Sequence, residues 1–369
     1  MNYDLLGKSI SFAEQCKALT QLRAARPEYK TLNAQSCQVT LKRVDLAFRF
    51  FFRRLKQGIR LAGFPRFKAI QRFVGWGYKT HGDGWTLLAG ARLQHGKIKL
   101  SGIGEIAIRG QAKTPGLPKT CEILKKAGRW YASVTVICVP VRVSGLKAQA
   151  IDWGVEMFAT IADHTGRITT VENPRHLEQA AHALTHAQKH LSRKDIGSRN
   201  RAKARQRVAR LHQHVKNQRN DFHHQTAARL VKDSALLATE ELNVQSMTKK
   251  GHTTRRLHRN ILSTGPSQFF ALLQSKAEEA GIEYREAPTK ILKPSQTCAN
   301  CGRQEKKLLN QRQHVCPCGL SCGRAENAAR VILHWALTDN VPGLESTSCG
   351  EQSAGRGHTA TTKLRSKKQ

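Results

Sequence analysis

Two hydrophobic periods divide this chain. In KIKLSGIGEIAIRG (residues 97–110) and WYASVTVICV (Trp130–Val139), apolar and polar residues alternate, the period-two pattern of half-buried strands. Glycines and prolines punctuate the surrounding region, so residues 76–145 are expected to form a β-rich domain, a small antiparallel barrel or sheet. AQAIDWGVEMFATIAD, a turn at His164-Thr165-Gly166, and RITTV predict two further strands over 147–170. ALLATEELNVQ (235–245) reads as a buried strand ending in acids.

Helical spacing governs the rest. From Leu41 to Leu55, the aromatics Phe48, Phe50, Phe51 and Phe52 mix with Arg49, Arg53 and Arg54, predicting a helix with a buried aromatic side and a basic side, ended by Gly58, Gly63 and Pro65. Residues 1–75 are expected to be mainly helical. Over 174–232, Leu177, Leu184 and Leu191 form one stripe, and Val208, Leu211, Val215 and Phe222 a second. These predict a helical hairpin turning near Gly197. Helices are also expected over 263–282 and 326–337, and a disordered tail over 339–369. The fold class is α+β.

Charge changes the picture. The 369 residues include 62 Lys and Arg against 26 Asp and Glu, a net charge of +36. Self-repulsion of this size opposes compaction, and a polyanionic partner is the usual reason to carry it. From His190 to Arg219 the hairpin holds ten Lys or Arg and one Asp. Arg193, Lys194, Arg199, Arg201, Lys203, Arg205, Arg207 and Arg210, with Arg53, Arg54 and Arg66 earlier, are the candidate phosphate contacts. No apolar run approaches the roughly 18 residues of a membrane span, and MNYDLLGKSI is not a secretory signal. A cytoplasmic protein with no membrane partner is expected, its ten cysteines reduced or metal-bound.

Two constellations carry chemistry. Cys298 and Cys301 form a C-x-x-C pair, and Cys316 and Cys318 a closer C-x-C pair. Four thiolates at the corners of a tetrahedron suit structural Zn²⁺, and Gly302 and Gly319 follow the pairs as knuckle turns need. The short second pair leaves Cys322 as an alternative ligand. Asp152 lies between Ile151 and Trp153 on an apolar strand, and Glu240 and Glu241 end another. Carboxylates from two strands can hold Mg²⁺. Turn capping by Asp152 and an ion pair at Glu240 fit the bare residues equally well.

The order of these parts resembles a known family. IDWGVEMFAT resembles a first RuvC motif, TEELNVQSM a second, QTCANCG and CPCG a zinc knuckle, and RAENAARVIL a third RuvC motif. With the FFRR and FPRF segments, residues 10–338 are similar to TnpB, the insertion-sequence-encoded RNA-guided DNA endonucleases related to compact type V CRISPR effectors. The resemblance implies a helical recognition segment (1–75), a β-barrel-like wedge domain (76–145), and an RNase H-like RuvC domain (146–338). That last domain would carry the basic helical insertion 174–232 and the zinc-knuckle insertion 296–322. It further implies a transposon-end guide RNA, double-stranded target DNA, and base pairing that reads sequence while the protein reads backbone shape. Asp152 and Glu240 match two catalytic, magnesium-binding acids, and Glu241 a non-catalytic neighbour.

Two departures modify that expectation. The third motif of the family reads Asp-Arg-Asp-x-Asn-Ala-Ala; here Gly323-Arg324-Ala325-Glu326-Asn327-Ala328-Ala329 places Ala325 at the third catalytic aspartate. A methyl group ligates no metal, and adjacent Glu326 points about 100° away on a helix. Cleavage is therefore expected to be weakened or lost. The same binding parts without cutting would make a guide-directed transcriptional repressor, and a DNA transposase or its accessory protein is a third possibility. The second departure is at the start. The short basic strand and helix that precede the GKSISFAEQ segment in the family are absent, so the wedge domain is expected to lack an edge strand.

Overall fold

The computed structural model describes residues 10–59, 61–69, 72–73, 75–89, 94–111, 116–138, 145–248, 254–308 and 310–339. The tail expected to be disordered falls almost wholly outside them. Helices α1 (Phe12–Ala25) and α2 (Ala34–Lys56) come first. Six strands follow: β1 (Gly75–Tyr78), β2 (Trp85–Ala89), β3 (Gln94–Leu100), β4 (Gly104–Gln111), β5 (Leu117–Lys126) and β6 (Arg129–Ile137). Next are β7 (Lys147–Trp153), β8 (Met157–Asp163) and β9 (Ile168–Glu172), then α3 (His176–Gln179), α4 (Ala181–Ser192) and α5 (Arg199–Lys232). The chain continues through β10 (Ser234–Glu240), α6 (Val244–Met247), α7 (Arg255–Thr264), α8 (Pro266–Ala280), β11 (Glu283–Ala287) and α9 (Thr289–Leu292). The last elements are β12 (Gln313–Val315), β13 (Ser321–Gly323) and α10 (Arg324–Thr338). Among the described residues, no helix is long and apolar enough to cross a membrane.

The chain divides into two compact units. The first draws on 1–144, 174–232 and 268–282. Its strands form two three-stranded antiparallel sheets, ordered β1-β5-β6 and β2-β3-β4. Tyr78, Trp85, Ile98, Leu100, Cys121 and Ile123, drawn from both sheets, form one buried core. Gly75 is required where β1 meets β5: at φ +152 a Cβ would collide with the Ile123 carbonyl. Arg43 ties α2 to this sheet by donating to the Gly75 carbonyl at 2.7 Å and to Glu122 at 3.1 Å.

The aromatic side of α2 corrects the sequence expectation. No residue of α2 is buried, and Phe50 and Phe52 are 48% and 41% exposed. Phe48 and Phe51 instead clasp Phe64, edge to face, at 5.5 and 5.3 Å. Apolar residues on a helix show which side is sticky, not what covers it.

The hairpin turns over residues 193–198, around Gly197 at φ +88. Leu184 and Ala187 of α4 and Ala204 and Val215 of α5 are buried. Further along, His223 packs on Phe269 at 5.5 Å.

The second unit draws on 145–173, 233–267 and 283–369. Its sheet runs β11-β10-β7-β8-β9, with β11, β10 and β7 parallel and β8 and β9 antiparallel. Helix α10 packs across β7, β8 and β10. Ala150, Ala162, Ala238, Ala287, Ala329 and Ile332 are in its buried core. Small residues on the sheet let the helix approach closely. The single helix expected over 263–282 is broken, because Gly265 takes the left-handed conformation that ends α7 and Pro266 starts α8.

Candidate functional site

β7 and β10 lie side by side in parallel, with Thr239 opposite Ile151 as their last registered pair. One step further along come Glu240 and Asp152, on neighbouring strands and the same face. Both side chains keep part of their surface accessible. Protein packed around them nevertheless desolvates the carboxylates. Burial, then the charge of Glu240, pushes Asp152 well above the usual carboxylate range, against the pull of Arg324. Burial pushes Glu240 up to about 7. Two adjacent acids that resist ionising together are a donor set suited to a hard cation such as Mg²⁺, whose charge would relieve both.

The first turn of α10 supplies the neighbours. Arg324 donates from its backbone N–H to Arg312 at 2.8 Å and from its guanidinium to the Leu308 carbonyl at 3.1 Å. Its charge is felt at Asp152. Ala325 follows and offers only a methyl group. Glu326 turns elsewhere: it pairs with Arg330 at 2.7 Å, and burial, with the charge of Glu326 second, raises the Cys322 thiol. Glu241, one residue past β10, has its N–H bonded to Ala287 at 3.1 Å.

The cysteine pairs form a second site. The sulfur atoms of Cys298, Cys301, Cys316 and Cys318 all lie within 4.8 Å of one another. Cys298 to Cys318 and Cys301 to Cys316 are each 3.6 Å. A tetrahedral zinc with sulfur at about 2.3 Å sets neighbouring sulfurs about 3.8 Å apart, so the cluster fits that ion. Burial raises Cys298 to about 12, while the Leu320 N–H and the Asn300 amide lower Cys318 to about 6. Tight turns shape the corners: Gly302 donates to the Cys298 carbonyl and Gly319 to that of Cys316, each at 3.0 Å. Cys322 stays outside the cluster, opposite His314 on the β12–β13 ribbon.

Sequence reasoning missed what joins the cysteines to α10. Asn327, fully buried, donates to the Thr297 carbonyl at 2.6 Å and accepts from the Ala299 N–H at 2.9 Å. Its place in the third motif, two residues after Ala325, was a signal available in the sequence. Arg312 and Glu156, paired at 2.7 Å, were missed as well.

The proposed phosphate contacts divide. Arg199, Lys203, Arg205, Arg207 and Arg210 are exposed on α5, and Arg193 in the turn before it. Lys194 is partly buried. Arg201 is partly buried too, and its guanidinium caps the end of α4 through the carbonyls of Leu191 at 3.3 Å and Lys194 at 2.6 Å. Arg53 and Arg54 are exposed at the end of α2, the first 4.9 Å from the Phe50 ring. Arg66 is exposed beyond.

Comparison with known proteins agrees with this layout. Residues 132–251 match the family described as "Probable transposase", and residues 267–332 match the "Cas12f1-like, TNB domain" family. A putative RNA-guided DNA endonuclease of Streptomyces pristinaespiralis is 29% identical, over 93% of this chain and 80% of the relative. Together these matches support a TnpB family member. The putative RNA-guided DNA endonuclease InsQ of Escherichia coli (strain K12) is 27% identical over 95% of this chain and 85% of its own length. The mixed α+β fold is shared with Cas12f1 in a complex with sgRNA and target DNA. That match has a TM-score of 0.53 and 14% identity, and it covers 89% of this chain and 76% of the other.

Proposed function

We propose that this chain is a transposon-associated, RNA-guided DNA-binding protein of the TnpB endonuclease type, in which cutting is weakened or lost at Ala325. Its partners are a guide RNA derived from the transposon end and double-stranded target DNA. The net charge of +36, the exposed arginines of α5, and relatives named as putative RNA-guided DNA endonucleases support both partners. The four cysteines hold structural zinc.

The observation that carries the reading is the pairing of Asp152 with Glu240 beside an α10 first turn that offers Ala325 instead of a third carboxylate. Asp152 and Glu240 would hold Mg²⁺, which when bound supplies an activated water and a clamp on the leaving phosphodiester oxygen. The two carboxylates accept the positive charge and set it at the parallel strand ends. Arg324 places a fixed positive charge beside Asp152, which partly offsets that attraction. Glu326 is held by Arg330 and does not replace the missing ligand.

Purified ribonucleoprotein incubated with matched target DNA and Mg²⁺ tests this. Binding without robust double-strand cleavage is expected, and Ala325→Asp should raise the cleavage rate by about a hundredfold or more, as expected for restoring a metal ligand whose outer-shell supports alone are worth 10–100-fold. Robust cleavage by the unaltered chain overturns the impaired-site reading. Purification without a defined small RNA overturns the guided reading. The absent third acid equally favours a guide-directed repressor, which uses the same binding surfaces and needs no cut.

A further inference from the structure

Helix α4 carries a histidine at every fourth position: His182, His186 and His190. All three are exposed. Buried Leu184 lies about 160° around the helix from His186, which sets the side presented to solvent. No side-chain hydrogen bond, ion pair or ring contact engages the three imidazoles among the described residues. Residues four apart on a helix stand one above the other with Cβ atoms about 5–6 Å apart. Two exposed imidazoles at that spacing reach a common ion by rotating χ1 and χ2 alone, with no change in the backbone.

We infer that this face of α4 is a binding site for a first-row transition dication: Zn²⁺, Ni²⁺ or Cu²⁺. His182 with His186 forms one chelating pair, and His186 with His190 the other. His182 and His190 are eight residues apart, about 12 Å along the axis, so one ion takes two rings and His186 belongs to both pairs. Imidazole nitrogen is a borderline donor that suits these ions and leaves Mg²⁺, which demands oxygen, unbound. The donor chemistry thus separates this site from both others: thiolates hold the structural ion, and carboxylates attract the hard one. Two rings leave further positions open, which water or an anionic oxygen fills.

The surroundings set the affinity. Lys189 lies on the same helix and Arg193 just beyond its end, and both repel an incoming cation. Screening by salt weakens that repulsion, so affinity should rise with ionic strength, the reverse of what a carboxylate site shows.

The test titrates the full chain, its cysteine site already filled with zinc, with Ni²⁺ followed by calorimetry. The unaltered chain should bind Ni²⁺ through two histidine nitrogens. His186→Ala should weaken binding by about tenfold or more, since supporting residues outside the ligand sphere alone are worth that much. His182→Ala and His190→Ala should each retain one pair and bind nearly as before. The double variant His182→Ala/His190→Ala should fall to the level of His186→Ala. Binding by His186→Ala equal to that of the unaltered chain overturns the assignment, as does loss in either single flank variant equal to that in His186→Ala. Circular dichroism of each variant separates a lost ligand from a lost helix: an unfolded α4 would lower helix content, whereas these exposed substitutions should leave it unchanged.

Discussion

The Nδ2 of Asn327 lies 2.6 Å from the carbonyl oxygen of Thr297, the residue before Cys298, the first cysteine of the cluster. The Oδ1 of the same side chain receives the Ala299 N–H, the residue after it. A single buried carboxamide therefore brackets Cys298 and fixes it to the first turn of α10. Asn327→Ala leaves the Thr297 carbonyl and the Ala299 N–H unmet in the interior and should cost about 2–3 kcal/mol. Zinc should also leave faster under chelator challenge. Denaturant unfolding and a zinc-responsive dye read the two effects, and unchanged zinc release would remove Asn327 from its role as a peg.

Asp152 and Glu240 repel each other in the metal-free protein, and the sign of the pH effect follows. Glu240 has a native pKa of about 7 against an ordinary 4.5. Between those values the native state holds more protons than the unfolded state, so metal-free stability should fall as pH rises from about 4.5 to 7. Glu240→Gln removes the charge and should raise the metal-free melting temperature at pH 8 by about 2–4 °C, the equivalent of about 1 kcal/mol in a domain of this size. The variant should also lose stabilisation by Mg²⁺. A Mg²⁺-induced shift equal to that of the unaltered chain would separate Glu240 from the metal.

Much of this was legible in the residues because the local signals were strong. Period-two alternation marked β3, β4 and β6, and an acid between Ile151 and Trp153 stood out on an apolar strand, though turn capping fitted it as well. The cysteine spacings foreshadowed a cluster that the fold brings within 4.8 Å. What stayed hidden depended on distant partners. The Phe48 and Phe51 rings look like core residues, yet their cover is Phe64, on a segment no helical period can place. Asn327 looks like a polar residue in an apolar helix, and its three backbone partners lie 28 to 33 residues away. The break at Gly265-Pro266 was written in the sequence, but the apolar stripe of Phe269, Phe270 and Leu273 outweighed it.

Arg201 and Arg205 share a basic helix but have different surroundings. Arg201 donates to the carbonyls of Leu191 and Lys194 and so holds the hairpin turn, while Arg205 is exposed. Arg201→Ala should destabilise the hairpin by about 1–2 kcal/mol, the range for lost capping bonds. Arg205→Ala should leave stability unchanged and reduce the salt dependence of nucleic-acid binding by about one phosphate contact. Thermal unfolding beside binding isotherms at several salt concentrations distinguishes them. Equal loss of salt slope in both variants would contradict the division.

Asp163 closes the turn between β8 and β9. One of its oxygens accepts from the Thr165 hydroxyl at 2.5 Å, the Thr165 N–H at 3.0 Å and the Arg167 N–H at 3.1 Å. The Thr165 hydroxyl bond, ahead of the two backbone N–H bonds and the nearby Lys147, holds its carboxyl below the ordinary 3.8. A lowered native pKa means the unfolded state takes up its proton first. The stabilisation is therefore complete above pH 3.8 and disappears as pH falls below it through the lowered native value. Asp163→Asn keeps the shape but weakens these bonds, and should cost about 1–3 kcal/mol near neutral pH. Urea unfolding of both proteins at pH 7, 5 and 3 checks the claim: the difference should be constant between pH 7 and 5 and smaller at pH 3. A difference that persists unchanged at pH 3 would mean that the turn depends on the shape of the side chain and not on its charge.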